Sequence, residues 1–272
     1  MAMNAAGSRP PALAVVSIGA SNLSRGLATL AATARSRTAS PLELFVAAGH
    51  GRSYGANSRV WMRRLPSILF SGLWRAVDRT AGDRGGPPDG PRPLAVVTDI
   101  GNDLLYGFSV EQVAAWVDEC LRRLEDRGFR TVVTRLPVAS IATVGGIRYR
   151  ALKTLYVPGC TLSLESLKAA AADLDVLVAA AASRRGAALL EQPGEWYGID
   201  AIHVRRRRLG ELWGRVADAW ELPAATVRPR PRMGEWFAIG RRGAEVRSLA
   251  GIPRFTPQPA VTLRDRSRVW LY

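Results

Sequence analysis

The sequence predicts an α/β protein: a parallel β-sheet of about five strands with helices on both faces and a β-rich C-terminal extension. Three observations lead there. Short, nearly continuous apolar runs at 13–18, 42–48, 94–100 and 129–136 read as strands buried on both faces. Segments of helical periodicity separate these runs, the alternation expected of βαβ units. And 47% of the 272 residues are hydrophobic, enough to bury a sizeable core.

In chain order, residues 1–12 read as a disordered tail. The run 13–18 is the first strand, ended by Gly19. A helix is expected over 24–37, with Leu27, Leu30 and Ala31 on one face and Ser24 as its cap. The second strand, 42–48, runs into a glycine-rich turn, 49–55. Residues 60–77 read as a helix that Pro66 kinks or breaks. Residues 81–93 are a surface loop by composition. The third strand, 94–100, precedes an amphipathic helix at 110–126, with Gly128 placed as its C-terminal cap. After the fourth strand, 129–136, comes a long irregular segment, 137–160. An Ala-rich helix at 162–183, a short fifth strand at 187–190, a loop and a helix to about Trp220 complete the pattern. Residues 13–222 therefore form one domain, a three-layer, flavodoxin-like sandwich with right-handed crossovers. Residues 223–234 read as a linker and 235–272 as the extension. There, 236–239 and 244–249 are expected to form a hairpin around 240–243, with 261–263 and 269–272 as further strands.

Charge and cysteines bound the function. The chain has 38 basic and 23 acidic residues, a formal net charge of +15, yet Lys153 and Lys168 are its only lysines. Such arginine richness reflects either codon bias in a GC-rich genome or attraction to anionic partners. The arginines are not interleaved with aromatics and no recognition motif appears, which argues against nucleic acid. Cys120 and Cys160, isolated and without nearby histidine, make neither a zinc site nor a disulfide framework. Cys120 falls in a helical pattern and reads as a small buried hydrophobe. No signal-like start and no apolar run near eighteen residues occurs, so a cytoplasmic protein without a membrane span is expected.

In a parallel sheet, ligands bind beyond the carboxyl ends of the strands. Ser21, Gly51, Asn102 and the pair Asp200/His203 all follow predicted strands, so their loops should gather on one edge. Each residue taken alone has a plainer reading. Ser21 suits a helix cap or turn, Gly51 a tight turn, and Asn102 an Asx-turn. Asp200 could cap the helix that follows it. The chemical reading needs them together. His203 is one of only two histidines, and Asp200 three residues earlier can hold its Nδ1 proton and leave Nε2 as a base. A serine hydroxyl needs such a base to become a nucleophile, and an asparagine amide can donate to an oxyanion.

In this combination the chain resembles the SGNH hydrolases, also called GDSL-like lipases and esterases. Their first block matches Gly19-Ala20-Ser21-Asn22-Leu23, and their second-block glycine matches Gly51, with Gly49 as the alternative. Their Gly-x-Asn-Asp block matches Gly101-Asn102-Asp103, and their Asp-x-x-His block matches Asp200-Ala201-Ile202-His203. Ala20 stands where the family usually has aspartate. Ile100 stands where the first glycine of the third block is expected, which implies an altered turn around Asn102. The resemblance implies an ester hydrolase that needs no cofactor. Ser21, His203 and Asp200 would be its triad, and the Ser21 and Gly51 N–H groups with the Asn102 side chain its oxyanion hole. Activity should then fall in acid, as the imidazole protonates.

His50, beside the second-block glycine, reads as a turn or pocket-wall residue. It could touch substrate, as could Asn22 and Arg205. The run Arg205 to Arg208 is either a solvated helix start or a positive rim for an anionic substrate or membrane surface. The acyl and alcohol parts of the substrate stay open among simple esters, acetylated sugars, lysophospholipids and thioesters. A non-catalytic binding module on the same fold, using the basic face or the extension, is the alternative.

Overall fold

The computed structural model describes residues 12–84, 91–157, 159–198, 200–225 and 229–272. Most of the predicted tail, half of the 81–93 loop and three residues of the 223–234 linker lie outside the described residues. The elements in chain order are β1 (Leu13–Ile18), α1 (Ser21–Arg35), β2 (Leu42–Ala47), β3 (Ser58–Val60), β4 (Arg63–Leu65), α2 (Leu73–Arg84), β5 (Leu94–Val97) and α3 (Asn102–Leu105). There follow α4 (Val110–Glu125), β6 (Arg130–Thr134), α5 (Val138–Ala142), α6 (Gly146–Tyr156), α7 (Leu164–Arg184), β7 (Ala188–Leu190) and α8 (Leu209–Ala219). The chain ends with α9 (Met233–Gly240), β8 (Val246–Leu249), β9 (Ile252–Phe255), β10 (Val261–Thr262) and β11 (Arg268–Leu271).

The main sheet has seven strands in the order β10-β11-β2-β1-β5-β6-β7. All neighbours are parallel except the β10–β11 pair at one edge. Every residue of β1 and β2 is buried, which explains why their sequences run apolar without alternation. One face carries Ile18, Phe45 and Val97 against Leu73 of α2, Val117 of α4 and Val178 of α7. The other carries Val15, Leu44 and Val96 against Leu30 of α1 and Trp213 of α8. This is the expected sandwich, with helices on both faces.

Three expectations are corrected. The predicted helix over 60–77 is the hairpin β3–β4 followed by α2, which starts only at Leu73. Between them, Ile68 N and Leu69 N donate to Ser53 O and Tyr54 O, so this backbone is spent on tertiary contacts instead of helical ones. The segment 137–160, read as irregular, contains α5 and α6. Residues 236–239 belong to α9, not to a strand. A four-residue apolar run fits either period, and burial of Ile239 against the α1 side of the core, with Glu235 paired to Arg35 at 3.0 Å, favours the helix. The hairpin of the extension is instead β8–β9, turning at Ala250 and Gly251, both at positive φ.

The extension does not stand apart. β11 lies parallel to β2, and Glu43, only 3% exposed, accepts from Arg268 Nε at 2.6 Å and Trp270 Nε1 at 2.7 Å. β8 and β9 join β3 and β4 in a second, antiparallel sheet of order β3-β4-β8-β9.

Candidate active site

The site begins where β1 gives way to α1. Gly19 has no room for a side chain, since a Cβ would meet Thr98 Cγ2 at 2.7 Å. After Ala20 the helix starts directly at Ser21. Ser24, expected from the sequence to be the cap, is not; its hydroxyl donates to Ala20 O at 2.8 Å inside the first turn. The cap comes from another loop. Asp99, two residues past the end of β5 and with φ +58°, accepts Ala20 N at 2.9 Å and Leu23 N at 3.0 Å through one oxygen. A carboxylate on these N–H groups satisfies orphan donors and matches the helix dipole.

Asn22 links this turn to the histidine loop. Its Nδ2 donates to Asp99 Oδ1 at 2.8 Å and to Ile202 O at 2.9 Å, and its Oδ1 accepts Val204 N at 2.8 Å. The backbone on both sides of His203 is thus fastened to the residue after Ser21. Asn22 lines the cleft, but its amide is committed to protein partners.

Asp200 accepts His203 N at 3.0 Å and lies 2.6 Å from His203 Nδ1. Burial alone would raise the Asp200 carboxyl. The hydrogen bonds from His203 and the backbone outweigh it and hold the group below its ordinary value. The two residues sit in a non-helical turn, with Ala201 at φ +60° and buried.

Asn102 opens α3, preceded by Gly101 at φ +120°. That angle explains why Gly101 follows the unexpected Ile100: the glycine is needed at the position that turns the chain. Asn102 Nδ2 is buried and has no hydrogen-bond partner among the described residues. The next residue, Asp103, is buried and accepts Tyr54 N at 3.1 Å. Tyr106 donates to Gly51 O at 2.5 Å, so the loops after β2 and β5 are tied together. Gly51 has φ +63°, and a Cβ there would meet Tyr106 Oη and Val60 Cγ2 at 2.6 Å.

Ser21, Asn22, Asp99, Asn102 and Asp200 line one cleft, open to solvent at its mouth. Its walls are mainly apolar, from Leu104, Leu136, Ile141, Val144 and Leu167, with Lys153 and Arg135 also lining it. Gly51, His50 and His203 are outside this lining. His50 is exposed on the β2 turn; partial desolvation of its ring, then Arg63 and His203, lower its pKa. Arg205 is exposed and does not line the cleft, and its N–H donates to Trp196 O at 2.8 Å. Arg206 to Arg208 form a short 3-10 turn before α8, and among the described residues Arg208 alone of the run pairs with a carboxylate, Glu211 at 2.8 Å. Asp99 was given no role by the sequence; the only signal was its place at a strand end, two residues before Gly101.

No family model matches the chain, and no curated protein does. Several solved structures are similar to it. The psychrotrophic esterase EstA from Pseudoalteromonas sp. is 12% identical, with 76% of this chain and 96% of that one covered and a TM-score of 0.44. TesA is also 12% identical, covering 76% and 98%, with a TM-score of 0.46. AlinE4, a SGNH-hydrolase family esterase, is 19% identical, covering 80% and 100%, with a TM-score of 0.37. Likeness at these scores assigns no activity to this chain.

Proposed function

We propose that this protein is a serine-dependent ester hydrolase of the SGNH type. One observation carries the reading: the hydrogen-bonded Asp200–His203 pair is fastened through Asn22 to the turn bearing Ser21, at a cleft that also holds a buried amide with no partner among the described residues, Asn102 Nδ2. An orphaned buried donor costs about 1–3 kcal/mol, and at a residue that lines the cleft this supports the arrival of an acceptor there during function.

In this mechanism Asp200 holds Nδ1, leaving His203 Nε2 to take the Ser21 proton as Oγ attacks the ester carbonyl. The Ser21 and Gly51 N–H groups and Asn102 Nδ2 receive the oxyanion. His203 then protonates the departing alcohol. Water, deprotonated by His203, attacks the acyl carbon, and His203 returns that proton to Ser21 Oγ as the acyl–oxygen bond breaks and the acid leaves. The apolar walls of Leu136, Ile141 and Leu167 suit an acyl chain.

Ser21→Ala and His203→Ala are each expected to abolish hydrolysis of a short p-nitrophenyl ester. A fluorophosphonate probe should label the wild type and not Ser21→Ala. Full activity in Ser21→Ala would overturn the assignment.

A further inference from the structure

The second sheet ends in an apolar tip. Its two hairpins turn side by side: Trp61 and Met62 between β3 and β4, Ala250 and Gly251 between β8 and β9, joined by Ala250 N donating to Met62 O at 2.8 Å. Trp61 is 77% exposed and Met62 69%. Just behind them on the paired strands, Ile252 is 54% and Leu249 41% exposed.

Two features separate this tip from ordinary surface. Trp61 has φ +56° as the first residue of a two-residue hairpin loop, a position that favours glycine. A bulky side chain held there, with no burial in return, costs backbone energy that the fold does not recover. Moreover, the segments 58–65 and 246–255 hold five arginines and no acidic residue. Arg59, Arg64 and Arg254 are exposed and, among the described residues, face no carboxylate.

We propose that this tip docks on an anionic lipid surface. Tryptophan is the side chain that prefers the headgroup boundary, and exposed arginines behind apolar residues add attraction to anionic headgroups. The charge also argues against a second copy as occupant, because two tips would bring like charges together. Pro253 on the outer strand β9 further discourages strand pairing between copies. The strand ends that carry the tip adjoin the candidate site: Val60, next to Trp61, packs at Gly51, and Arg63, next to Met62, donates to His50 O at 3.0 Å. Docking would hold that turn close to the lipid. The inference stands on the tip alone and is independent of the hydrolase reading.

The test is co-sedimentation of the purified full chain with vesicles. Phosphatidylcholine mixed with phosphatidylglycerol is compared with phosphatidylcholine alone, at low and high salt. Binding is expected to the anionic vesicles only and to weaken with salt. The double variant Trp61→Ser with Met62→Ser should lose roughly tenfold in partition. Arg59→Gln and Arg64→Gln should each lose about fivefold. These side chains are exposed, so the variants should keep the wild-type Tm. Independently of any variant, amide exchange at 58–65 and 246–255 should slow on anionic vesicles. The proposal is overturned by absence of vesicle binding, by equal binding to neutral vesicles, or by wild-type partition of the Trp61/Met62 variant. Binding of a duplex oligonucleotide that the arginine variants lose, without slowed exchange on vesicles, would point to nucleic acid instead and overturn it as well.

Discussion

Asp99, in the lining of the cleft, braces the candidate site by capping α1 at Ala20 and Leu23 and holding Asn22, which holds the loop around His203. Asp99→Ala leaves three buried or half-buried donors without their acceptor. It should lower Tm, by about 1–3 kcal/mol in stability, and lower kcat by displacing Ser21 relative to His203. A wild-type kcat would show that the turn holds without this carboxylate. Asn102 plays the opposite part, with a buried donor that no described residue accepts. Asn102→Ala should cost roughly 10²–10³ in kcat with little change in KM. An effect confined to KM would place the amide on the ground-state substrate instead. Asp200 links the site to pH. Its folded carboxyl lies below the ordinary value. It therefore stabilises the fold above the unfolded value, about 3.9, and that contribution is lost as pH falls through the folded value. The acid limb of the Tm profile should accordingly be shallower in Asp200→Asn than in the wild type.

At the scale of elements, contacts across the sheet decide what local pattern leaves open. α1 and α8 pack so closely that a Cβ on Gly26 would meet Trp213 Nε1 at 2.4 Å. Alanine favours a helix interior by about 1 kcal/mol over glycine, but overpacking a core costs about 1–3 kcal/mol. Gly26→Ala should thus lower Tm; a rise would mean that α8 can shift away. The helix predicted over 60–77 failed for a related reason. Its residues are apolar at mixed spacing, and β4 finds a partner in β8, nearly two hundred residues away in sequence. By contrast, the Gly128 cap was legible, because φ +70° there is a local demand that glycine meets.

For the whole molecule, the C-terminal strands close the sheet that the first strands open. The guanidinium of Arg52 is fully buried among the backbone oxygens of Ala48, Pro66 and Tyr272, and its desolvation lowers the pKa to about 9. It ties the turn after β2 to the end of β11. Arg52→Leu should leave these acceptors unpaired and destabilise the protein by roughly 2–4 kcal/mol, read as a fall in the urea midpoint. Deleting 257–272 would bare β2 as a flat apolar edge, and the product should aggregate.

The sequence by itself determined the layered α/β fold and the loops that bear Ser21, Gly51, Asn102, Asp200 and His203. Buried parallel strands leave uninterrupted apolar runs, and strand ends are where such loops must lie. Only the tertiary structure decided that Asp99 caps α1, that Asn22 is committed to the histidine loop, and that the extension completes one sheet and builds a second. Those are pairings between residues tens to hundreds of positions apart. Their partners are chosen by proximity in the folded chain, which no local period or spacing encodes.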